Sequence, residues 1–139
     1  MISFTIVGTP VALKRHRYSA KIGRSYDPSS RDKKQIWLQI AKYKPKQPLK
    51  GNIYLKVIFY MPRPKSHFRS GKYKHILKDD YKDMKYHSYK PDVSNLVKLY
   101  EDIIAGADRM ICDDSQICML QAEKIYSINP RTEVVIQEI

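Results

Sequence analysis

In the stretch KPDVSNLVKLYEDIIAG, residues 90–106, Asp92 stands two places before Ser94, Lys98 follows a turn later, and Asp102 a turn after that. The pair Asp113 and Asp114 comes shortly downstream. Such residues suit phosphodiester hydrolysis, which needs charge stabilisation on the phosphoryl oxygens and an activated water, both supplied by Mg²⁺ held on carboxylates. Magnesium prefers oxygen ligands and keeps several waters, so one or two carboxylates are enough. Asp92, Asp113 and Asp114 are the candidate ligands. Asp92 follows Pro91 at the head of a helix, and Asp113 and Asp114 occupy a turn between strands, so each carboxylate can be presented without burying unpaired charge. An N-cap and two turn residues look the same, and spacing alone favours that plainer reading.

The elements that must position these groups are legible from periodicity. At roughly 100° per residue, a helix from about Ser94 to Ala105 puts Ser94, Lys98, Glu101 and Asp102 on one side. Leu96, Leu99, Tyr100, Ile103 and Ile104 fall on the other. Gly106 follows as a helix stop. A second helix begins after Ser29 or Ser30, either a suitable N-cap, carries Ile36, Trp37, Ile40 and Ala41 at helical spacing, and stops before Pro45. ISFTIVG, residues 2–8, alternates Ile2, Phe4 and Ile6 with Ser3, Thr5 and Val7. NIYLKVIFYM does the same with Ile53, Leu55, Val57, Phe59 and Met61 against Tyr54, Lys56, Ile58 and Tyr60. QICMLQAEKIY and TEVVIQEI read as two further strands. The predicted fold is α+β: one domain over residues 1–139, a mixed or antiparallel sheet of four to five strands, and two main helices. No internal repeat or low-complexity tract interrupts it.

Charge is divided unevenly along the chain. The 139 residues hold 26 Lys plus Arg against 14 Asp plus Glu, a net +12, which points to a polyanionic partner such as DNA, RNA or an anionic membrane. Residues 1–91 contain 22 basic and 5 acidic side chains, whereas residues 92–139 contain 4 and 9. Carboxylates repel phosphates unless a cation stands between them, so a purely electrostatic binder has little use for such an acidic segment. An ordinary solvated acidic face is the alternative. No apolar run reaches the roughly 20 residues needed to span a bilayer. The start MISFTIVGTP lacks the basic and apolar regions of a signal peptide, and the expected setting is cytoplasmic.

TPVALKRHRYS, residues 9–19, forms a basic, Pro-containing loop in this reading. Residues 62–91 bring nine Lys or Arg with no sustained period, a loop long enough to be functional or disordered. Phe68, Tyr73, Tyr81, Tyr86 and Tyr89 within it could stack on exposed bases while the cations hold phosphates, or could simply cover the domain surface. His67, His75 and His87 show no ligand spacing. Cys112 and Cys118 form no CxxC or zinc pattern and read as reduced residues packed near the acidic turn.

The order KPD, NL and a Lys, an acidic helix end, DDSQI and a downstream Lys resembles the RusA family of Holliday junction resolvases, endonucleases often encoded by phages and prophages. The early GTPVALKRHR with SYDP, the PRPKSHFR after a strand, and the final PRTEVVI fall in the same family order, so the resemblance spans nearly the whole chain. The family pattern KPDxDNLxK plus DD places its first Asp on Asp92, its Lys on Lys98, its later helix Asp on Asp102 and its pair on Asp113 and Asp114. The resemblance implies Mg²⁺ on Asp92 and Asp114, with Mn²⁺ able to substitute. Asp113 would support or share that role, and Lys98 would orient water or stabilise phosphoryl charge. It also implies a homodimer that nicks branched DNA, four-way junctions above all, in a bacterial or phage-infected cell. Lys14, Arg15, Arg17, Arg63, Lys65, Arg69, Lys72 and Lys74 are the candidate DNA contacts.

Ser94 is the departure, for it stands where the family pattern has a second Asp. Its hydroxyl can accept a first-turn N–H about as well as a carboxylate can. It supplies no negative charge to a metal. Three readings stay open: a deliberately inactivated form, a natural member that binds junctions without cleaving, and an active one in which water or Asp113 replaces the ligand. A non-catalytic nucleic-acid-binding protein is the alternative from another class. The PD-(D/E)xK nuclease pattern is disfavoured, because the residues two places before Lys98 and Lys124 are Leu96 and Ala122.

Overall fold

The computed structural model describes residues 1–139. Strict alternation in β4 (Ile53–Met61) buries Ile53, Leu55, Val57, Phe59 and Met61 on one face and leaves the intervening residues half-exposed on the other. β4 is interior to a four-stranded mixed sheet, whose other members are β1 (Ile2–Val7), β5 (Ile117–Tyr126) and β6 (Arg131–Glu138) in the order β1-β6-β4-β5. β6 runs antiparallel to both β1 and β4, and β5 runs parallel to β4. Parallel neighbours need a crossover. Here the crossover carries both the long basic segment and α2 (Val93–Ile104).

α1 (Ser30–Ile40) and α2 pack on the apolar face of the sheet and against each other. Leu96, Val97, Leu99, Tyr100, Ile103 and Ile104 of α2 are buried in one cluster with Phe4, Phe59, Val134 and Ile136 of the sheet. Burying a side chain of this size stabilises by about 1.5–3 kcal/mol, so the apolar face of α2 fixes which of its residues face solvent. Burial also pushes the Tyr100 phenol up to about 12.

Three local expectations change. The basic loop after β1 contains a small hairpin, β2 (Arg17–Ser19) with β3 (Arg24–Tyr26), turning near Gly23 at φ +67°. Its strands are too short and polar to show a period. Ser29 is buried at the N-cap of α1, yet its hydroxyl accepts the Lys14 N–H at 2.8 Å instead of capping the helix. Cys112 and Cys118 are free and exposed, not packed.

The 62–91 segment is built of 3₁₀ turns at Lys65–His67, Gly71–Tyr73 and Asp79–Tyr81, with single bridges pairing Phe68 with Leu77 and Tyr86 with Ile125. No helix is long and apolar enough to cross a membrane.

Candidate active site

α2 begins at Val93 with Asp92 as its N-cap, and the Leu96 N–H donates to the Asp92 carbonyl oxygen at 3.1 Å. The Asp92 carboxylate caps nothing and is exposed at the positive end of the helix dipole. Ser94 is exposed inside the first turn, so the cap position expected to suit its hydroxyl belongs to Asp92. Lys124 on β5 holds the approach to this helix: its Nζ donates to the carbonyl oxygens of Tyr89 and, at 2.7 Å, Pro91, on the two sides of the cis Lys90–Pro91 peptide. The Leu13 N–H donates to the Asn95 carbonyl at 3.0 Å and brings the basic arm to the same end.

Lys98, one turn on, stands over an acidic groove of about 330 Å³ lined by Glu101, Asp102, Asp113 and Asp114. Its Nζ lies 3.0 Å from Asp114 Oδ2 and 3.6 Å from both Glu101 Oε2 and Asp102 Oδ1. The hydrogen bond that Lys98 donates to Asp114 is the main reason the Lys98 pKa is raised, against partial burial and with help from the charges of Asp102 and Glu101. The lysine therefore stays cationic among three carboxylates.

Asp113 has a local duty. Its carboxylate accepts the Ser115 N–H at 3.0 Å while the Gln116 side chain accepts the Asp113 N–H at 2.9 Å, a capping box for the 3₁₀ turn Asp114–Gln116. The Ser115 hydrogen bonds hold the Asp113 carboxyl below its usual range. Gln116 also donates to the Leu49 and Gly51 carbonyls, which anchors the turn to the segment entering β4.

The other oxygen of Asp102 lies 3.2 Å from Lys33 on α1, and Lys33 lies 2.7 Å from Asp27. Burial alone would depress Lys33, but its hydrogen bonds to Asp27 and Asp102 prevail and raise it. This link between the basic loop, α1 and α2 joins residues far apart in sequence; the family matches touched Asp27, through SYDP, and Asp102, but not Lys33.

Nowhere do three carboxylates, imidazoles or thiolates converge on one point. Asp113 and Asp114 share the groove, while Asp92 does not line it. The oxygen-only donor set suits Mg²⁺, which accepts one or two carboxylates with water and phosphate oxygens completing the shell.

Of the candidate DNA contacts, Lys14, Arg15, Arg17, Lys65, Arg69, Lys72 and Lys74 are exposed. Lys65, Arg69 and Lys74 join Phe68 and Lys78 around a concavity of about 640 Å³. Arg63 is diverted inward: it donates to the Tyr81 and Met84 carbonyls at 3.1 and 2.7 Å and stacks over the Tyr126 ring at 4.8 Å. Tyr73, Tyr86 and Tyr89 are exposed, whereas Tyr81 stacks on buried His67 with ring centres 4.0 Å apart. His67, His87 and Tyr126 meet in a pocket that their separate positions in the chain gave no sign of.

The family model described as Endodeoxyribonuclease RusA matches residues 8–137. The chain is also 35% identical over 142 residues to a protein of Bacillus subtilis (strain 168) described as "Uncharacterized protein YqaN", an alignment covering 99% of this chain and 96% of the relative.

Proposed function

The chain belongs to the RusA endodeoxyribonuclease family, and from that premise we propose that it is a structure-selective nuclease that binds four-way DNA junctions as a homodimer and nicks two opposed strands. The observation that carries the reading is the Lys98 ammonium 3.0 Å from Asp114 and 3.6 Å from Glu101 and Asp102. A cation is stabilised at that point, beside a helix whose head presents an unpartnered Asp92.

Asp114 and Asp92, with Asp113 in support, are the residues that would hold Mg²⁺ or Mn²⁺. When bound, the ion supplies Lewis-acid stabilisation of the phosphoryl oxygens and a water of lowered pKa. Lys98 holds Asp114 in place and presents a positive charge to the scissile phosphate. Lys124 fixes the Tyr89–Pro91 backbone and thereby the direction from which Asp92 enters the site. Lys33 secures Asp102, and with it the acidic end of α2. The exposed Lys and Arg of the two basic segments bind the junction arms through phosphates, so log K falls with log salt by about 0.9 for each phosphate neutralised on duplex DNA. A two-fold junction suits a two-fold protein.

Ser94 removes one carboxylate from this arrangement and leaves the fold unchanged, since it is exposed and makes no cap. The test is cleavage of a synthetic four-way junction in Mg²⁺ or Mn²⁺ by the protein and by Ser94→Asp, with linear duplex as control. Cleavage by either form upholds the nuclease reading, and cleavage by the variant alone assigns the deficit to Ser94. Tight, metal-independent junction binding with no cleavage by either form moves the assignment to a non-catalytic junction-binding protein. No junction binding at all overturns the proposal.

A further inference from the structure

Alone among the strands, β2 and β3 bury no residue. A two-stranded hairpin by itself is only marginally stable in water, and this one leaves its apolar side chains in solvent. Tyr18 is 68% exposed, and Ile22, in the turn, is 53% exposed. Residues 11–26 hold five Lys or Arg and no carboxylate, so nothing within the arm neutralises its charge. The register sorts these groups by face. Arg17 pairs with Tyr26 and Ser19 with Arg24, which puts both arginines on one face; Tyr18, paired with the small Ser25, lies on the other. The Gly23 N–H donates to the Ser19 carbonyl at 2.8 Å and closes the turn that carries Ile22.

Both feet of the hairpin are tied to α2. On the entering side the Leu13 N–H donates to the Asn95 carbonyl at 3.0 Å, one residue past Ser94. On the leaving side Lys33 lies 2.7 Å from Asp27 and 3.2 Å from Asp102. The Lys14 N–H, 2.8 Å from Ser29 Oγ, joins one foot to the other. The base of the arm is thus fixed beside the candidate active site while its tip is free. From Lys14 to Lys21 an extended strand at about 3.3 Å per residue covers roughly 23 Å. A DNA groove is only about 8 Å deep, so the tip can pass the phosphates and reach base pairs.

The partner follows from the two faces. Arginines suit phosphate oxygens. Tyr18 and Ile22 gain nothing there, but apolar wedges enter DNA where base steps come apart, and an aromatic ring stacks on any exposed base face. An intact duplex must first be unstacked to admit them. At the centre of a four-way junction the stack is already interrupted, and the cost of opening is least where pairing or stacking is already lost.

We infer that the β2–β3 hairpin probes the branch point: its arginines hold the flanking phosphates, and Tyr18 and Ile22 enter between the interrupted base steps. This arm, and not the basic charge as a whole, then separates a junction from linear duplex. The inference rests on the junction reading above.

The test measures affinity in EDTA, where no strand is cut, for a synthetic four-way junction and for a linear duplex, with a fluorescent adenine analogue at the branch point to report unstacking. The wild-type protein is expected to prefer the junction at least tenfold and to raise the fluorescence. The double variant Tyr18→Ser, Ile22→Ser is expected to bring the preference below threefold, to hold duplex affinity within twofold and to abolish the rise. Arg17→Gln is expected to weaken both substrates alike and to reduce the salt slope by about 0.9. Both tip side chains are exposed, so an unchanged urea midpoint is expected of the double variant. Junction and duplex affinities that fall together, or a preference that survives the double variant, overturn the probe while leaving the junction reading intact. A change of mass on size exclusion also overturns it, by making the tip a contact between copies. Absence of junction binding by the wild-type protein overturns the junction reading and the probe with it.

Discussion

The acidic groove lies at the C-terminal end of α2 and the aromatic pocket between the end of β4 and the segment leading into α2, and the two handle their polar groups in opposite ways. In the groove Asp114, Asp102 and Glu101 share Lys98, Asp102 also meets Lys33, and Asp113 caps its own turn. In the pocket Tyr126 and His87 each bury a polar atom with nothing to bond. A groove whose charges are balanced internally is stable without its ligand and can exchange that balance for a metal and a phosphate. A pocket with unpaired buried atoms carries their desolvation cost within the fold. The first arrangement suits chemistry on a group present in every nucleotide.

The contrast can be broken most forcefully at Asp114. Asp114→Asn keeps the shape but weakens both the ion pair and metal ligation, and junction cleavage is expected to fall at least about 100-fold while gel-shift affinity for the junction persists. Equal cleavage by wild type and variant would remove Asp114 from the site. Next in size is the support of the pocket. Arg63→Met leaves the Tyr81 and Met84 carbonyls without their charged donor, and is expected to cost about 2–3 kcal/mol in urea unfolding; no loss would mean that the 81–84 turn stands without it.

Ser94→Asp restores a carboxylate at the exposed head of α2 and is expected to raise cleavage about tenfold or more at limiting Mg²⁺, read as a lower metal concentration for half-maximal rate. Tyr126→Phe removes an unpaired buried hydroxyl, so the protein should gain up to about 1 kcal/mol. A comparable loss would show that the hydroxyl is already satisfied.

The smallest effect is that of pH. His67 and His87 have folded pKa values below their ordinary ones, so the unfolded chain takes up protons first as pH falls. Their stability contribution is complete above about pH 6.5 and declines below it toward their folded values. The urea midpoint should drop between pH 7.5 and 5.5, less so in His67→Leu. An unchanged midpoint would contradict the buried, neutral imidazoles.

Period and punctuation in the sequence carried much of the fold. The alternation through Ile53–Met61 set which face of β4 is buried, and the helical spacing from Leu96 to Ile104 put Lys98, Glu101 and Asp102 on the free side of α2, because burial of apolar area rewards a single register of each element. The DDSQI match and the family's later helix Asp named Asp113, Asp114 and Asp102 of the groove, while the KPD match named Asp92 outside it. The β2–β3 hairpin escaped notice because strands of three polar residues have no period to read.

What the sequence determined by itself was therefore the identity of the chemistry-bearing residues and the faces they occupy, since both depend on near neighbours along the chain. Tertiary structure alone decided their partners: that Lys98 is held by Asp114, that Lys33 joins Asp27 to Asp102, that Arg63 turns inward, and that His67, His87 and Tyr126 enclose one pocket. These contacts cross between elements distant in sequence. They are fixed by how the parallel β4–β5 pair and its long crossover pack, and local propensity carries no record of that packing.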